Sequence, residues 1–243
     1  EAEYGTISED PPDFLRGISS GIKELRIGLD SSGMGGAPCD PEVTTNVKVA
    51  AQVFEELGAK VEEVTYAPDE HGEIIRTFLD VFCIRAYARW RDQLDDPQRA
   101  TELTDYFTED LQWGKSSQAT DYLNCMNKIG RYRAYASQFF STYDLLLSPT
   151  TATTAFPIGK YPQIVNGQPV AHRRFGFTPF TYLFNLSGNP AATIPCGFDA
   201  QGLPIGLQIV GGMKDELTIL SASAAFEQAR PWSITRPSLD KMD

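Results

Sequence analysis

The 243-residue sequence predicts an α/β fold in which a mixed β-sheet carries helices on its faces. Three observations support that class. Residues 25–29 alternate weakly like a strand, 41–57 repeat apolar residues at helical spacing, and 61–64 read as a second strand. Such a strand–helix–strand unit makes a right-handed crossover if its strands are parallel. Farther on, two short apolar runs, 191–196 and 206–210, are joined by a turn marked by Gly202 and Pro204, and read as neighbouring buried strands. Long helical periodicities at 70–93 and 117–141 supply layers to cover the sheet.

Taken in order, residues 1–22 are an extended lead-in, because Pro11-Pro12 blocks an early helix and Asp13-Phe14-Leu15 starts a short one at most. The strand at 25–29 runs into a Ser/Gly loop, 30–38. That loop superficially resembles a nucleophile or phosphate loop, but it lacks both the Lys-Ser/Thr ending and a full G-x-G-x-x-G pattern, and reads as an ordinary strand-to-helix connection. In the helix at 41–57, Asp40 is the candidate cap, Pro41 suits the first helical position and Gly58 the exit. Val43, Val47, Ala50, Ala51, Phe54 and Leu57 form its apolar face.

In the helix at 70–93, Ile75, Phe78, Leu79, Phe82 and Ala86 share a face, and Pro97 stops it at the latest. A short helix at 100–112 precedes the long one at 117–141, which turns Tyr122, Met126, Ile129, Ala136 and Phe140 inward. Arg131 and Arg133 on that helix read as solvated charges rather than substrate contacts. A buried strand at 144–148 opens into 149–176, long and rich in Pro and Gly. Within it, 164–170 forms a hairpin on Asn166-Gly167, with Pro169 restricting the second strand to an edge. A long ordered loop of this kind is a candidate flap. The last helix, 215–229, places Ile219, Ala222, Phe226 and Ala229 on one side, and 231–243 reads as a loose tail. With no repeat and no clean boundary, 1–243 is expected to be a single domain.

A net charge of −11 argues against nucleic acid and anionic membrane as partners. No run approaches the ~18 apolar residues of a membrane span, and no signal peptide is evident; a cytoplasmic location is expected. Cys39, Cys83, Cys125 and Cys196 lack paired spacing and read as free, buried thiols. No metal or other cofactor is expected, since His71 and His172 have no ligand spacing. His172 reads as a loop-surface residue whose pKa Arg173 and Arg174 lower. The sequon Asn185-Leu186-Ser187 lies in the most apolar stretch and is expected to be buried and unused.

The stretch 175–212 holds the densest placement of Gly, Pro and small residues between apolar runs. Asn185-Leu186-Ser187-Gly188-Asn189-Pro190-Ala191, Ile194-Pro195-Cys196-Gly197 and Leu203-Pro204-Ile205-Gly206-Leu207-Gln208-Ile209 resemble the C-terminal half of the amidase signature enzymes. Asp40-Pro41-Glu42-Val43, the helix end Phe54-Glu55-Glu56-Leu57-Gly58-Ala59, the segment Tyr143-Asp144-Leu145-Leu146-Leu147-Ser148-Pro149-Thr150 and Ala225-Phe226-Glu227-Gln228 are similar too, so the resemblance runs from about 13 to 237. It implies amide hydrolysis by a Ser–cis-Ser–Lys triad. The triad is expected in the family's N-terminal half, with its serines in a Gly-Gly-Ser-Ser-Gly-Gly type of loop and its lysine upstream. No such loop occurs here and the chain begins at Glu1, so it is expected to be the C-terminal half without a catalytic residue.

The implied partners are the missing N-terminal half or a second subunit, with a small amide as substrate of the full-length enzyme and a homodimer left open. By position, the resemblance places Thr150, Thr151 and Thr153, and Phe175, Phe177, Thr178 and Thr181, on the acyl-binding cavity, while Phe180 reads as core. In the tRNA-dependent glutamine amidotransferase branch an Asp-x-Phe-Thr motif grips the substrate amine. Here Thr178-Pro179-Phe180-Thr181 lacks the acid, and the region of that branch's carboxylate-binding arginine, Glu109-Asp110-Leu111, is acidic. Both departures favour a general amidase over an amidotransferase component. The rival readings are a non-catalytic amidase-like binding or interaction protein, and a hydrolase using Ser187, which has no Gly-x-Ser-x-Gly context.

Overall fold

The computed structural model describes residues 9–232 and residue 235. Five strands form one mixed sheet: β1 (Arg26–Leu29), β2 (Lys60–Glu63), β3 (Leu145–Pro149) and, later in the chain, β6 (Ala191–Phe198) and β7 (Pro204–Gly211), in the order β2-β1-β3-β7-β6. β1 is parallel to β2 and to β3, whereas β7 is antiparallel to β3 and to β6. The expected mixed sheet is therefore parallel at one side and a hairpin at the other. A separate two-residue pair, β4 (Ile164–Val165) and β5 (Gln168–Pro169), closes on Asn166 and Gly167 with φ of 48° and 72°. Those two left-handed residues make the tight hairpin that an Asn-Gly pair predicts.

Helices cover both faces. On one, α2 (Pro41–Glu56) and α7 (Glu216–Ala229) bury Val47, Phe54, Ala222 and Phe226 against Ile27, Leu145, Leu147, Leu207 and Ile209, with Phe54 and Phe226 stacked at 5.4 Å. On the other, α3 (His71–Leu94), α5 (Ala119–Phe139) and the short α6 (Tyr182–Ser187) pack Ile75, Leu79, Ile129, Tyr132 and Leu183 over Leu146 and Val210. Tyr66 is fully buried among Tyr135, Phe139 and Phe184. Cys125 and Tyr132 complete the inward face of α5, of which Ile129 and Ala136 were expected.

Several boundaries differ from the sequence reading. Asp40 makes no side-chain cap; its backbone carbonyl accepts from Thr44 instead, at 3.1 Å. The expected helix at 100–112 is a 3-10 turn, Arg99–Glu102, followed by α4 (Asp105–Ser116), because Thr104 is extended with φ −71° and ψ 150°. α5 begins at Ala119, where Gln118 and Asp121 exchange the two hydrogen bonds of a capping box. The helix α6 within the aromatic stretch 177–187 was not anticipated. α1 (Phe14–Gly17) is the short helix expected there. The expected tail, 231–243, lies outside the described residues except at 231, 232 and 235, and so do the first eight residues of the lead-in.

α3 and α4 cross closely at Gly114, where an added Cβ would lie 2.1 Å from the Cys83 carbonyl oxygen. Only glycine admits that approach. The two sheet edges differ in chemistry. β2 is lined with charge: Lys60 pairs with Glu24 at 2.5 Å, Lys48 with Glu63 at 3.3 Å, and Glu62 accepts from the Tyr143 hydroxyl at 2.8 Å. β6 reads Ala-Ala-Thr-Ile-Pro-Cys-Gly-Phe, without a charge; its outer edge pairs with no strand among the described residues, and Pro195 and a bulge before Gly197 interrupt it.

Candidate functional site

The seven residues placed on the cavity by sequence are all half-buried, and the fold brings them to one strip. β3 ends at Pro149 and the chain turns into 150–154. Ala152 then bridges two segments: its amide donates to the Phe177 carbonyl at 2.9 Å, and its carbonyl accepts from Asp40 at 2.8 Å. That link sets Thr150, Thr151 and Thr153 beside 175–181.

Within the strip the hydroxyls are largely occupied. Thr151 donates to the Thr153 carbonyl at 2.8 Å, and Thr181 to the Thr178 carbonyl at 3.2 Å. The Thr178 hydroxyl bonds the Phe175 carbonyl at 3.2 Å and meets the Tyr182 hydroxyl, which itself donates to Phe175 at 2.6 Å. Burial pushes the Tyr182 phenol up to about 12, against the opposing pull of Thr178, so it stays a neutral donor. Phe177 sits edge-on to Phe156 at 4.9 Å, near Tyr161 at 6.2 Å. Phe175 contacts Phe78 and Tyr182 and packs against the core, while Phe180 is fully buried, as expected.

The sheet adds polar groups that sequence reasoning missed. Thr193 on β6 lies opposite Gln208 on β7, which lies opposite Ser148 on β3. Gln208 is 3% exposed; its amide donates to Ser148 Oγ and to the Phe180 carbonyl, both at 3.0 Å. Diagonally from that row, Thr150 Oγ1 donates to Thr193 Oγ1 at 3.3 Å over Gly206, where a Cβ would stand 3.0 Å from both side chains. A polar row thus crosses the sheet beside 175–181. The signal was a glutamine inside an otherwise apolar strand, a placement that burial penalises unless its amide is satisfied.

The other candidates divide. His172 is half-buried rather than on the loop surface: its ring stacks on Phe175 at 5.4 Å, and its Nδ1 accepts from the amides of Arg174 and Phe175, each at 3.3 Å. Burial first, then the Arg174 charge, lowers its pKa. Asn185 is exposed, which corrects the expected burial of the sequon, although Ser187 is 1% exposed and donates to Asn189 at 2.7 Å. Arg131 and Arg133 are exposed, and Arg133 donates to the Ser187 carbonyl at 3.2 Å. In the loop 30–38, the buried Asp30 carboxylate accepts from the Tyr66 amide at 2.7 Å and from Ser32, and Ser31 donates to Glu63 at 2.5 Å.

Cutting an amide requires an activated nucleophile, oxyanion donors and a proton for the leaving nitrogen. Among the described residues no serine hydroxyl bonds a lysine or histidine; Ser31, Ser148 and Ser187 bond a carboxylate, polar groups of 149 and 208, and an amide. The four cysteines are free, and burial pushes Cys39 to about 11 and Cys83 and Cys196 to about 12, so these three are neutral thiols near pH 7. No group of three or more metal-binding side chains occurs among the described residues, and no helix among them is long and apolar enough to cross a membrane.

Comparison with known proteins agrees with this architecture. Residues 4–220 match the family model described as Amidase. An acylamidase of Rhodococcus erythropolis is 30% identical over 233 residues, covering 93% of this chain and 46% of its own length. A glutamyl-tRNA(Gln) amidotransferase subunit of Streptococcus thermophilus is 34% identical over 245 residues, with 93% and 49% covered. Among solved structures, a bacterial aryl acylamidase of the amidase signature family superposes with a TM-score of 0.81 at 27% identity, over 93% of this chain and 49% of that one. The 6-aminohexanoate cyclic dimer hydrolase does so with 0.75 at 25%, over 96% and 50%. The chain spans about half the length of the relatives it matches. By the extent of the family match and the shared fold, the chain belongs to the amidase signature family.

Proposed function

We propose that this chain is the C-terminal portion of an amidase that hydrolyses a carboxylic amide to acid and ammonia or amine, forming one domain with the remainder. It supplies scaffold and one wall of the substrate cavity, the strip from Thr150 to Thr153 and from Phe175 to Thr181, and it carries no catalytic residue. The observation behind this reading is that the chain aligns along nearly all of its own length with only half of each relative. The uncharged edge of β6, beside Thr193 and Thr150, supports it as the place where further strands join the sheet. The nucleophile then comes from the other half or from a second subunit.

A glutamine amidotransferase component is the second reading, on the strength of relatives bearing that name. Residue 178 speaks against it: a threonine stands there, its hydroxyl held by Phe175 and Tyr182, and Glu109 and Asp110 are engaged by Arg173 and Arg174. Neither glutamine nor charged tRNA is then a substrate, and glutaminase activity of the whole protein at the rate of a simple amide refutes that. The wider reading is tested by the intact mass of the protein from its source, with an amidase assay and a fluorophosphonate probe. A parent of about twice this mass, with one labelled serine outside this chain, is expected from the coverage of the relatives. An unlabelled protein of this chain's own mass favours a binding protein, and label on Ser31, Ser32 or Ser187 overturns both readings.

A further inference from the structure

α3 exposes part of its apolar side: Phe82, expected to face inward, is exposed, while Phe78 one turn earlier stacks on Tyr182 at 4.5 Å and touches Phe175 at the border of the proposed cavity wall. Phe78 and Phe82 stack with centroids 6.1 Å apart toward one end, and Trp90 meets Phe107 of α4 edge-on at 5.8 Å toward the other. Arg85 and Arg89 stand between them, one helical turn apart, so their side chains leave the helix about 5–6 Å from each other. With Asn185 and Leu186 from α6, these residues line a groove of about 780 Å³. Phe82 and Trp90 are 37% and 38% exposed.

The arginines are anomalous for this molecule. Acidic residues outnumber basic ones 32 to 21, and Arg76 and Arg91 on the same helix each pair with an aspartate, at 3.0 and 3.4 Å. Arg85 and Arg89 make no ion pair or hydrogen bond among the described residues. Two adjacent unpaired guanidiniums over an aromatic floor are complementary to an anion with an apolar body. A second copy seated on the same face about a two-fold axis would instead oppose Arg85 and Arg89 to their own counterparts, at a repulsive cost.

We propose that this groove binds an apolar monocarboxylate, an aryl or alkyl acid whose body lies on the aromatic walls while Arg85 and Arg89 donate to its carboxylate. Guanidinium forks match a carboxylate in geometry and charge, and a largely apolar groove with a few polar groups, of ~300–1,000 Å³, is the usual form of a small-molecule site. Such binding is read without amide turnover, so its failure is distinguishable from failure of the amidase reading.

Trp90 reports on the groove. Titrating the chain with dodecanoate while following tryptophan fluorescence should show saturable binding, with the signal abolished in W90F. Dodecanol should bind at least about tenfold more weakly, and the R85Q/R89Q variant should lose about tenfold in dodecanoate affinity while melting like the parent, the scale of one charge-assisted contact. Equal binding of dodecanoate and dodecanol, or unaltered dodecanoate binding by R85Q/R89Q, overturns the proposal. So does protection of Trp90 from acrylamide quenching in the longer protein, which assigns this face to polypeptide contact.

Discussion

Removing the carboxylate of Asp110 should destabilise this chain more than any other single ion-pair deletion. Two consecutive arginines in the loop after the β4–β5 hairpin reach two consecutive acids on α4: Arg173 pairs with Glu109, and Arg174 with Asp110. The first pair is exposed, at 60% and 59%, whereas the second is 13% and 8% exposed with its atoms 2.5 Å apart. The Arg174 guanidinium also lies over Tyr106 at 4.9 Å and Phe175 at 5.1 Å, and its buried Nε has no partner among the described residues. Asp110→Ala therefore strands a buried cation whose surroundings offer little compensation. Breaking a buried pair in this way costs about 3–5 kcal/mol, which for a chain of this size lowers the melting temperature by about 6–20 °C. Arg173→Ala removes an exposed pair and should cost at most about 1 kcal/mol. Urea unfolding of both variants, of R174M and of the D110A/R174M double variant gives the coupling directly, and the double should cost less than the sum of its parts. R174M should also speed proteolysis in 157–174, the segment these pairs fasten to α4. Equal small losses for D110A and R173A would refute the reasoning, because burial would then have no bearing on the pair.

Two further outcomes are expected. Gly114→Ala pushes a methyl into the Cys83 carbonyl at 2.1 Å and should cost about 1–3 kcal/mol, while Gly130→Ala on α5, with nothing within 4 Å, should stabilise by about 0.5–1 kcal/mol; melting curves in which both shift the same way contradict the packing described at the α3–α4 crossing. Burial raises the Asp30 carboxyl above its ordinary 3.8 despite hydrogen bonds from Tyr66 and Ser32. Its contribution to stability is thus fully present below that ordinary value and is lost as pH rises through the folded value. Parent and D30N compared by melting temperature in steps upward from pH 3.8 should show the parent losing ground; a gap that stays constant or widens in the parent's favour counts against burial as the controlling effect.

Most of the sheet was legible because its signals are local. Apolar runs bounded by Gly and Pro marked β3, β6 and β7, and an Asn-Gly pair marked the β4–β5 hairpin down to its left-handed residues. What sequence misjudged was decided by contacts far along the chain. α6 is six residues of Tyr182–Ser187 in a stretch whose aromatics suit several conformations; it is helical where Leu183 and Phe184 pack into the core and Gly188 ends it in a left-handed conformation with φ 83°. Asn185 looked buried because its neighbours are, yet on a helix that buries Phe184 and Leu186 the intervening residue can face out. Asp40 has a capping side chain in sequence, but its amide is taken by the Ala152 carbonyl, which ties the residue to the loop after β3.

The candidate site shows the same division more sharply. Thr150, Thr151 and Thr153 follow a buried strand, and a position just past a strand end can be read from a single segment. Thr193 cannot be read that way: it faces Thr150 only because β6 pairs with β7 and β7 with β3, and register is a property of three strands rather than one. Gln208 is the trace that register leaves in sequence. Nothing local requires an amide between Leu207 and Ile209, both fully buried. Its two hydrogen bonds, to Ser148 and to the carbonyl of Phe180, are what make it tolerable there. Those bonds fix the segment 175–181 against the sheet at a set height. The half-buried strip owes its shape to a residue that a sequence reading scores only as an anomaly, so a polar side chain alone in a buried strand is a better guide to this strip than the threonines beside it.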